Sequence, residues 1–343
     1  MRSVWGIICG QFNAVPPVEN ADLTGKTVIV VGANVGIGFE ASKHFARMNP
    51  ARLILGCRST TKGTAAIEEI KSETGYDKAE LWLIDLANFS SVLAFADKFD
   101  KEGQGLDILV MNAAVFQLAY QGTPDGWETS IQVNHLSTAL LSILLTPHLI
   151  SAGGAASLPS RLAIVASDVH YVARFEKKVT EAPKILEKLS SEEYCTPSVM
   201  RARYNDSKLL NVFFARAFNS HLPQTTPLTV SAVNPGFCYS QLRRDMYDRF
   251  FYNLIMRIGE ILLAWTTEEG SRQLVFAAVG ARDKEGEERM KGAFISQSKV
   301  IEPSDLVLSK EGGVLQERLW NETIEILSEI SPRVREIVNN YLQ

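Results

Sequence analysis

The chain has 343 residues, of which 46% are hydrophobic and 22% charged, an ordinary globular composition. Its formal net charge of −4 argues against nucleic acid as the main partner, because phosphate recognition favours a basic face. Five histidines and four cysteines (Cys9, Cys57, Cys195, Cys238) form no C-x-x-C or H-x-x-x-H pair, so no metal is expected.

The opening M-R-S-V-W-G-I-I-C-G is far shorter than the ~20 apolar residues that span a bilayer. It also lacks a signal-peptide core and cleavage site. Residues 1–23 read as an N-terminal extension and 24–343 as one domain. Strand and helix patterns then alternate, which is the mark of a parallel sheet flanked by helices. Predicted strands are Thr27–Val31, Arg52–Gly56, Leu81–Ile84, Ile108–Met111, Leu162–Ala166 and Leu228–Val233, with a seventh at Ala293–Ile295. Predicted helices are Gly36–Met48, Thr61–Thr74, Ser90–Phe99, a long one over Gly126–Leu149, and Arg203–Asn219. The fold class expected is α/β, a doubly wound, seven-stranded, mainly parallel sheet. A polar insertion (168–203) precedes the Arg203 helix, and a helical extension ends the chain, interrupted near Pro332.

Two features carry chemistry. The loop V-V-G-A-N-V-G-I-G follows the first strand directly and places Gly32, Asn34, Gly36, Ile37 and Gly38 where strand gives way to helix. Glycines there permit a tight turn and let backbone amides approach a pyrophosphate at the positive helix end. Far downstream, Tyr204 and Lys208 stand one helical turn apart in R-Y-N-D-S-K. A tyrosine with an ordinary pKa near 10 is only about 0.1% phenolate at neutral pH. An ammonium on the same helical face favours the phenolate; a lowering of ~3 units corresponds to about 4 kcal/mol. Taken singly, Tyr204 reads as a surface aromatic and Lys208 as a solvated charge; the combination gives them meaning.

The segments V-G-A-N-V-G-I-G, I-D-L, M-N-A-A-V, V-N-H, I-V-A-S, Y-N-D-S-K and V-N-P-G-F-C-Y-S occur in the order of the short-chain dehydrogenase/reductase superfamily. The chain resembles its retinol-dehydrogenase-like and WW-domain-oxidoreductase-like branch, of the single-domain type frequent in fungi. The resemblance implies a catalytic tetrad of Asn134, Ser167, Tyr204 and Lys208. It also implies that Asp85 and Leu86 border the adenine, that Asn112 and Ala113 line the ribose side, and that Pro235, Gly236 and Ser240 close over the nicotinamide. Tyr204 would exchange the proton and Ser167 would hold the substrate oxygen. Lys208 would anchor the ribose, and Asn134 would hold a water linking Lys208 to solvent. Two departures stand out: Val31 replaces a threonine, and Ala114 ends a motif that normally closes on glycine.

Cofactor choice turns on the end of the second strand, where NAD-selecting enzymes place a carboxylate on the ribose hydroxyls. Here L-I-L-G-C-R-S-T-T-K offers no acid, whereas Arg58, with Lys62 one turn on, suits a 2′-phosphate. NADP(H) is therefore the expected cofactor. The stretch 241–265 carries Phe251, Leu254, Ile255, Ile258, Leu262 and Trp265 at helical spacing. It reads as a lid over an apolar substrate in preference to a membrane-contacting helix. The activity expected is NADPH-dependent reduction of a lipophilic ketone or aldehyde, or the reverse oxidation of an alcohol, with a fungal secondary-metabolite pathway as its setting. The rivals are a dehydratase or epimerase using the same tyrosine, and a non-catalytic NADP-binding regulator or scaffold. A cytoplasmic monomer or homodimer without a transmembrane segment is expected.

Overall fold

Runs of Val, Ile and Leu without polar alternation suit strands covered on both faces, and the chain uses them so. In this computed structural model, which describes residues 10–103, 105–155, 159–239 and 264–342, β1 (Thr27–Val31) and β4 (Ile108–Met111) are buried at every position. The other strands are β2 (Arg52–Cys57), β3 (Ala79–Leu83), β5 (Ser160–Val165), β6 (Leu228–Val233), β7 (Phe294–Ser296) and β8 (Lys299–Ile301). They form one eight-stranded sheet in the order β3-β2-β1-β4-β5-β6-β7-β8. All pairs are parallel except β7–β8.

The eighth strand was not expected. Residues Gln297 and Ser298 turn the β7–β8 hairpin with φ of 56° and 52°, the left-handed geometry of a tight hairpin. Neither is the Asn or Gly that signals such a turn in a sequence.

Alternate strand residues feed two cores. Val28, Val30, Leu53, Leu55, Ile108 and Val110 pack with α1 (Gly36–Arg47), α2 (Thr60–Thr74) and α7 (Thr267–Val279). Ile29, Val31, Ile54, Leu109 and Met111 pack with α3 (Phe89–Glu102), α4 (Thr129–Leu144), α5 (Thr146–Ala155) and α6 (Arg203–His221). The long helix expected over Gly126–Leu149 is two helices. They bend by 47° ahead of Pro147, and α4 holds a π-turn at Gln132–Leu136. Among the described residues no single helix is long and apolar enough to cross a membrane.

The short α8 (Lys284–Met290) precedes β7. The C-terminal helices α9 (Lys310–Ile330) and α10 (Pro332–Tyr341) lie against α6 and α4, with Pro332 opening α10 where the interruption was expected. The 168–203 insertion contributes no strand; it is a series of short helices, among them Ile185–Ser190. Except for residues 264 and 265, the lid-like stretch read over 241–265 lies outside the described residues.

Candidate active site

The loops that leave the carboxyl ends of the parallel strands open on one edge of the sheet, and the strand order reverses between β1 and β4. A reversal of this kind parts the neighbouring loops and leaves a crevice, the usual ligand position in a doubly wound sheet. The sequence-predicted residues follow that edge. Gly32–Gly38 comes after β1, Arg58 after β2, Asp85 and Leu86 after β3, Asn112 and Ala113 after β4, Ser167 after β5, and Pro235 and Gly236 after β6. Ser240 lies outside the described residues.

Each loop glycine has its own reason. Gly32 has φ +83°, and a Cβ there would sit 2.8 Å from the Ala113 backbone nitrogen and Cα. A Cβ on Gly38 would collide with the Gly32 carbonyl oxygen and with Asn112 Nδ2. Asn112 Nδ2 donates to that same carbonyl at 2.9 Å, so the β4 loop braces the glycine turn from behind. Gly36, at φ +65°, differs: a side chain there would meet nothing within 4 Å. The open space lies in front of the first turn of α1, whose N-cap residue Val35 supplies no side-chain hydrogen bond and whose first turn holds no acid. Backbone amides at a positive helix end, with Asn34 and Ile37 half-buried beside them, fit a pyrophosphate.

At the end of β2, Arg58 is exposed and Ser59 caps α2 through the Lys62 N–H at 3.3 Å. Lys62, also exposed, therefore stands in the first turn of α2 near Arg58. Asp85 is half-buried, and its Oδ1 accepts from the Ala87 N–H at 3.0 Å. Leu86 is buried.

Around the tyrosine the parts interlock. Lys208 is 1% exposed, and its ammonium donates to the Val165 carbonyl at 2.8 Å and lies 5.5 Å from the centre of the Tyr204 ring. Burial lowers its pKa to about 7. Tyr204 is half-buried, with the Phe116 ring 5.3 Å away. Ser167 is the second residue past the end of β5 and caps the next turn through the Val169 N–H at 3.4 Å. His170 fixes that turn. Its Nε2 accepts from the Ser304 N–H at 3.1 Å, which can only donate, so Nδ1 carries the proton and donates to the Ser167 carbonyl at 2.8 Å. Burial keeps this imidazole neutral, with a pKa of about 4.

The Asn134 side chain bridges two elements. Its Oδ1 accepts from the Val115 N–H at 2.8 Å, and its Nδ2 donates to the Val115 carbonyl and to Ser207 Oγ, each at 2.9 Å. The side chain is thus a clamp between the β4 loop and α6.

The comparisons with known proteins agree with this arrangement. A family model described as short chain dehydrogenase matches residues 26–167. The short chain dehydrogenase sol3 of Alternaria solani is 38% identical over 276 residues, covering 80% of this chain and 92% of its own. The chain belongs to the short-chain dehydrogenase/reductase family. A second relative, the short chain dehydrogenase/reductase dmxR8 of Cryptosporiopsis sp., is 32% identical and covers 96% of this chain and 98% of its own. Among solved structures, a gluconate 5-dehydrogenase from Burkholderia cenocepacia in complex with NADP and tartrate superposes with a TM-score of 0.57 at 18% identity. It covers 80% of this chain and 95% of its own. At that identity it attests the fold alone. Members of the dehydrogenase family use a nicotinamide cofactor, and the glycine loop and α1 described above fit one.

Two residues of the site escaped the sequence reading. Asn234, 2% exposed, accepts from the Asp168 and Gly236 N–H groups at 3.1 and 3.2 Å and donates to Ser296 Oγ at 3.1 Å. It joins the loops that carry Ser167 and Gly236. Its signal was the Asn-Pro-Gly run, which favours a side-chain-braced turn. Ser207, fully buried, accepts from Asn134 and donates to the Tyr204 carbonyl at 2.8 Å. No local pattern marks it.

Proposed function

We propose that this member of the family is an NADPH-dependent carbonyl reductase, or the reverse alcohol dehydrogenase, acting on a lipophilic ketone, aldehyde or secondary alcohol. The observation that carries the reading is the buried Lys208 ammonium 5.5 Å from the Tyr204 ring, at the strand end that also presents Ser167.

Bound NADP(H) supplies or accepts the hydride. The chain's own residues handle the proton and the charge. The Tyr204 hydroxyl gives its proton to the substrate oxygen in reduction and takes it back in oxidation. Lys208, with one of its three donors on Val165, turns another toward the ribose hydroxyls and favours the phenolate by its charge. Ser167 Oγ hydrogen-bonds the substrate oxygen where negative charge develops. Asn134 keeps the β4 loop and α6 in register.

Preference for the phosphorylated cofactor is supported by Arg58 and Lys62, both exposed, and by the lack of a carboxylate from Leu53 to Lys62. A lipophilic substrate is supported by Phe116 beside Tyr204 and by Leu118, Val172 and Tyr239, which are 39%, 47% and 40% exposed. These lie on the loops leaving β4, β5 and β6, the strands that carry the tyrosine's surroundings. A fungal secondary-metabolite route fits such a substrate.

The test uses purified protein. NADPH should quench tryptophan fluorescence at lower concentration than NADH and should be oxidised when apolar ketones and aldehydes are offered. Tyr204→Phe should retain NADPH binding and lose at least ~1,000-fold in turnover. A fully active Tyr204→Phe enzyme, or acceptance of small polar sugars and hydroxy acids only, overturns the reading.

A further inference from the structure

Arg203, the first residue of α6 and the neighbour of Tyr204, is fully buried. A guanidinium is taken out of water only at a cost that partners must offset. Its Nη2 donates to the Leu189 carbonyl at 2.7 Å and lies 3.4 Å from Cys195 Sγ, both in the insertion. Its Nε stands 3.6 Å from Glu128 Oε2 and its Nη1 3.5 Å from Asp206 Oδ2. The Tyr194 ring lies 5.8 Å away.

Glu128 is itself fully buried and belongs to the other half of the site. Its carboxylate caps α4 by accepting from the Ser130 and Ile131 N–H groups at 2.8 and 3.1 Å. Its own N–H donates to Ser190 Oγ in the insertion at 2.6 Å. By contrast the N-cap of α6, Ala202, offers no side-chain hydrogen bond. The Arg203 side chain is therefore one of the contacts that locate the start of the tyrosine helix. Beyond the insertion, Glu322 of α9 accepts from the Ile185 and Leu186 N–H groups at 2.7 and 2.8 Å. The insertion's helix Ile185–Ser190 is thus held at both ends.

We propose that Arg203 is a positioning residue for the reaction: by joining the insertion to the first turns of α4 and α6, it sets Tyr204 at the right height against Ser167 and Asn134. It governs the chemical step and leaves cofactor affinity alone. The proposal rests on the reading of Tyr204 as the proton donor. An ion pair of purely structural use would instead lower stability, binding and turnover together.

The experiment compares the full chain with Arg203→Lys, Arg203→Met and the double variant Arg203→Met/Glu128→Gln, which removes both charges of that pair and leaves Asp206, its carboxyl already pushed up to about 7 by burial, to take up a proton. Melting temperature, NADPH affinity by tryptophan quenching, kcat, KM, and the primary isotope effect with 4-deuterated NADPH are measured. Amide hydrogen exchange is followed over residues 129–134 and 203–208. The double variant should fold and bind NADPH within about threefold of wild type, with kcat down ~100-fold and a larger isotope effect, as expected for a misplacement of about 1 Å. Arg203→Lys should fall between. A folded double variant with wild-type kcat overturns the proposal, as does a parallel loss of affinity, stability and turnover. If the wild-type protein reduces no carbonyl compound, the reading of Tyr204 fails, and hydrogen exchange decides the positioning claim by itself. Joint loss of protection in the two segments supports it, and unchanged protection overturns it.

Discussion

Asn134 and Ser207 meet at 2.9 Å, amide donor to hydroxyl acceptor, and Ser207 passes the contact on to the Tyr204 carbonyl at 2.8 Å. This short relay connects the π-turn of α4 to the first turn of α6, so the geometry of the proposed proton donor depends on a residue with no chemistry of its own. Ser207→Ala should leave an Asn134 N–H buried without a partner, at a cost of about 1–3 kcal/mol. Turnover should fall about tenfold or more, because the helix start is no longer fixed. Urea midpoints and kcat measured on the same preparation check both parts. A variant of wild-type stability and rate would mean that the relay is idle.

The loop glycines should separate folding from binding. Gly38→Ala forces a methyl against the Gly32 carbonyl oxygen, a backbone atom that cannot swing away, and should destabilise the fold by about 1–3 kcal/mol. Gly36→Ala meets no atom and carries only the strain of a left-handed residue, about 1–2 kcal/mol. Its methyl nevertheless points into the space before α1, so NADPH affinity should drop by more than ~10-fold, beyond any change in melting temperature. Titration of tryptophan fluorescence with NADPH distinguishes the two variants. Equal affinity in wild type and Gly36→Ala would remove the pyrophosphate from this loop.

Much of this frame was readable in the sequence for a physical reason. Strands buried on both faces run largely apolar, so β4 and most of β1 stand out, and a glycine loop between strand and helix is hard to mistake. Tyr204 and Lys208 sit four residues apart on one helix, so their relationship is local. The clamps were hidden because their partners are distant: Asn134 and Ser207 are separated by 73 positions, Glu128 and Ser190 by 62. Buried polar side chains of this kind obey no period. The π-turn and the Gln297–Ser298 hairpin escaped because their residues carry no distinctive preference for those geometries. Helix α7 was missed although Thr266 and Glu269 form a capping box at its start, a signal available to a closer reading.

Charge at the end of β2 should set cofactor preference. Arg58 is exposed beside the Ser59 cap, where a forked cation can reach a phosphate on the adenosine ribose. Arg58→Asp should place a carboxylate where ribose hydroxyls are bound in NAD-selecting enzymes and raise the NADH-to-NADPH ratio of kcat/KM by at least ~10-fold. Because Arg58 is on the surface, stability should be unaffected. An unchanged ratio in a folded variant would locate the discrimination at another position.

Burial of Lys208 makes the stability of the cofactor-free protein depend on pH in a defined direction. In the folded chain its ammonium loses its proton at about 7, whereas the unfolded lysine retains it to near 10.5. Between those values the unfolded state binds more protons, so stability rises with pH; below about 7 both states are protonated and the slope vanishes. Each unit of separation is worth about 1.4 kcal/mol, so wild type should gain on the order of 2 kcal/mol between about pH 7 and pH 9 relative to Lys208→Met. Asp206, pushed up to about 7 by burial, works in the opposite sense below that window and is common to both proteins. The phenol of Tyr76, raised to about 12, acts only above it. Urea unfolding of both proteins at the two pH values gives the difference directly. A flat difference would mean that the folded ammonium keeps its proton throughout, so that its charge is available to Tyr204 even before cofactor binds.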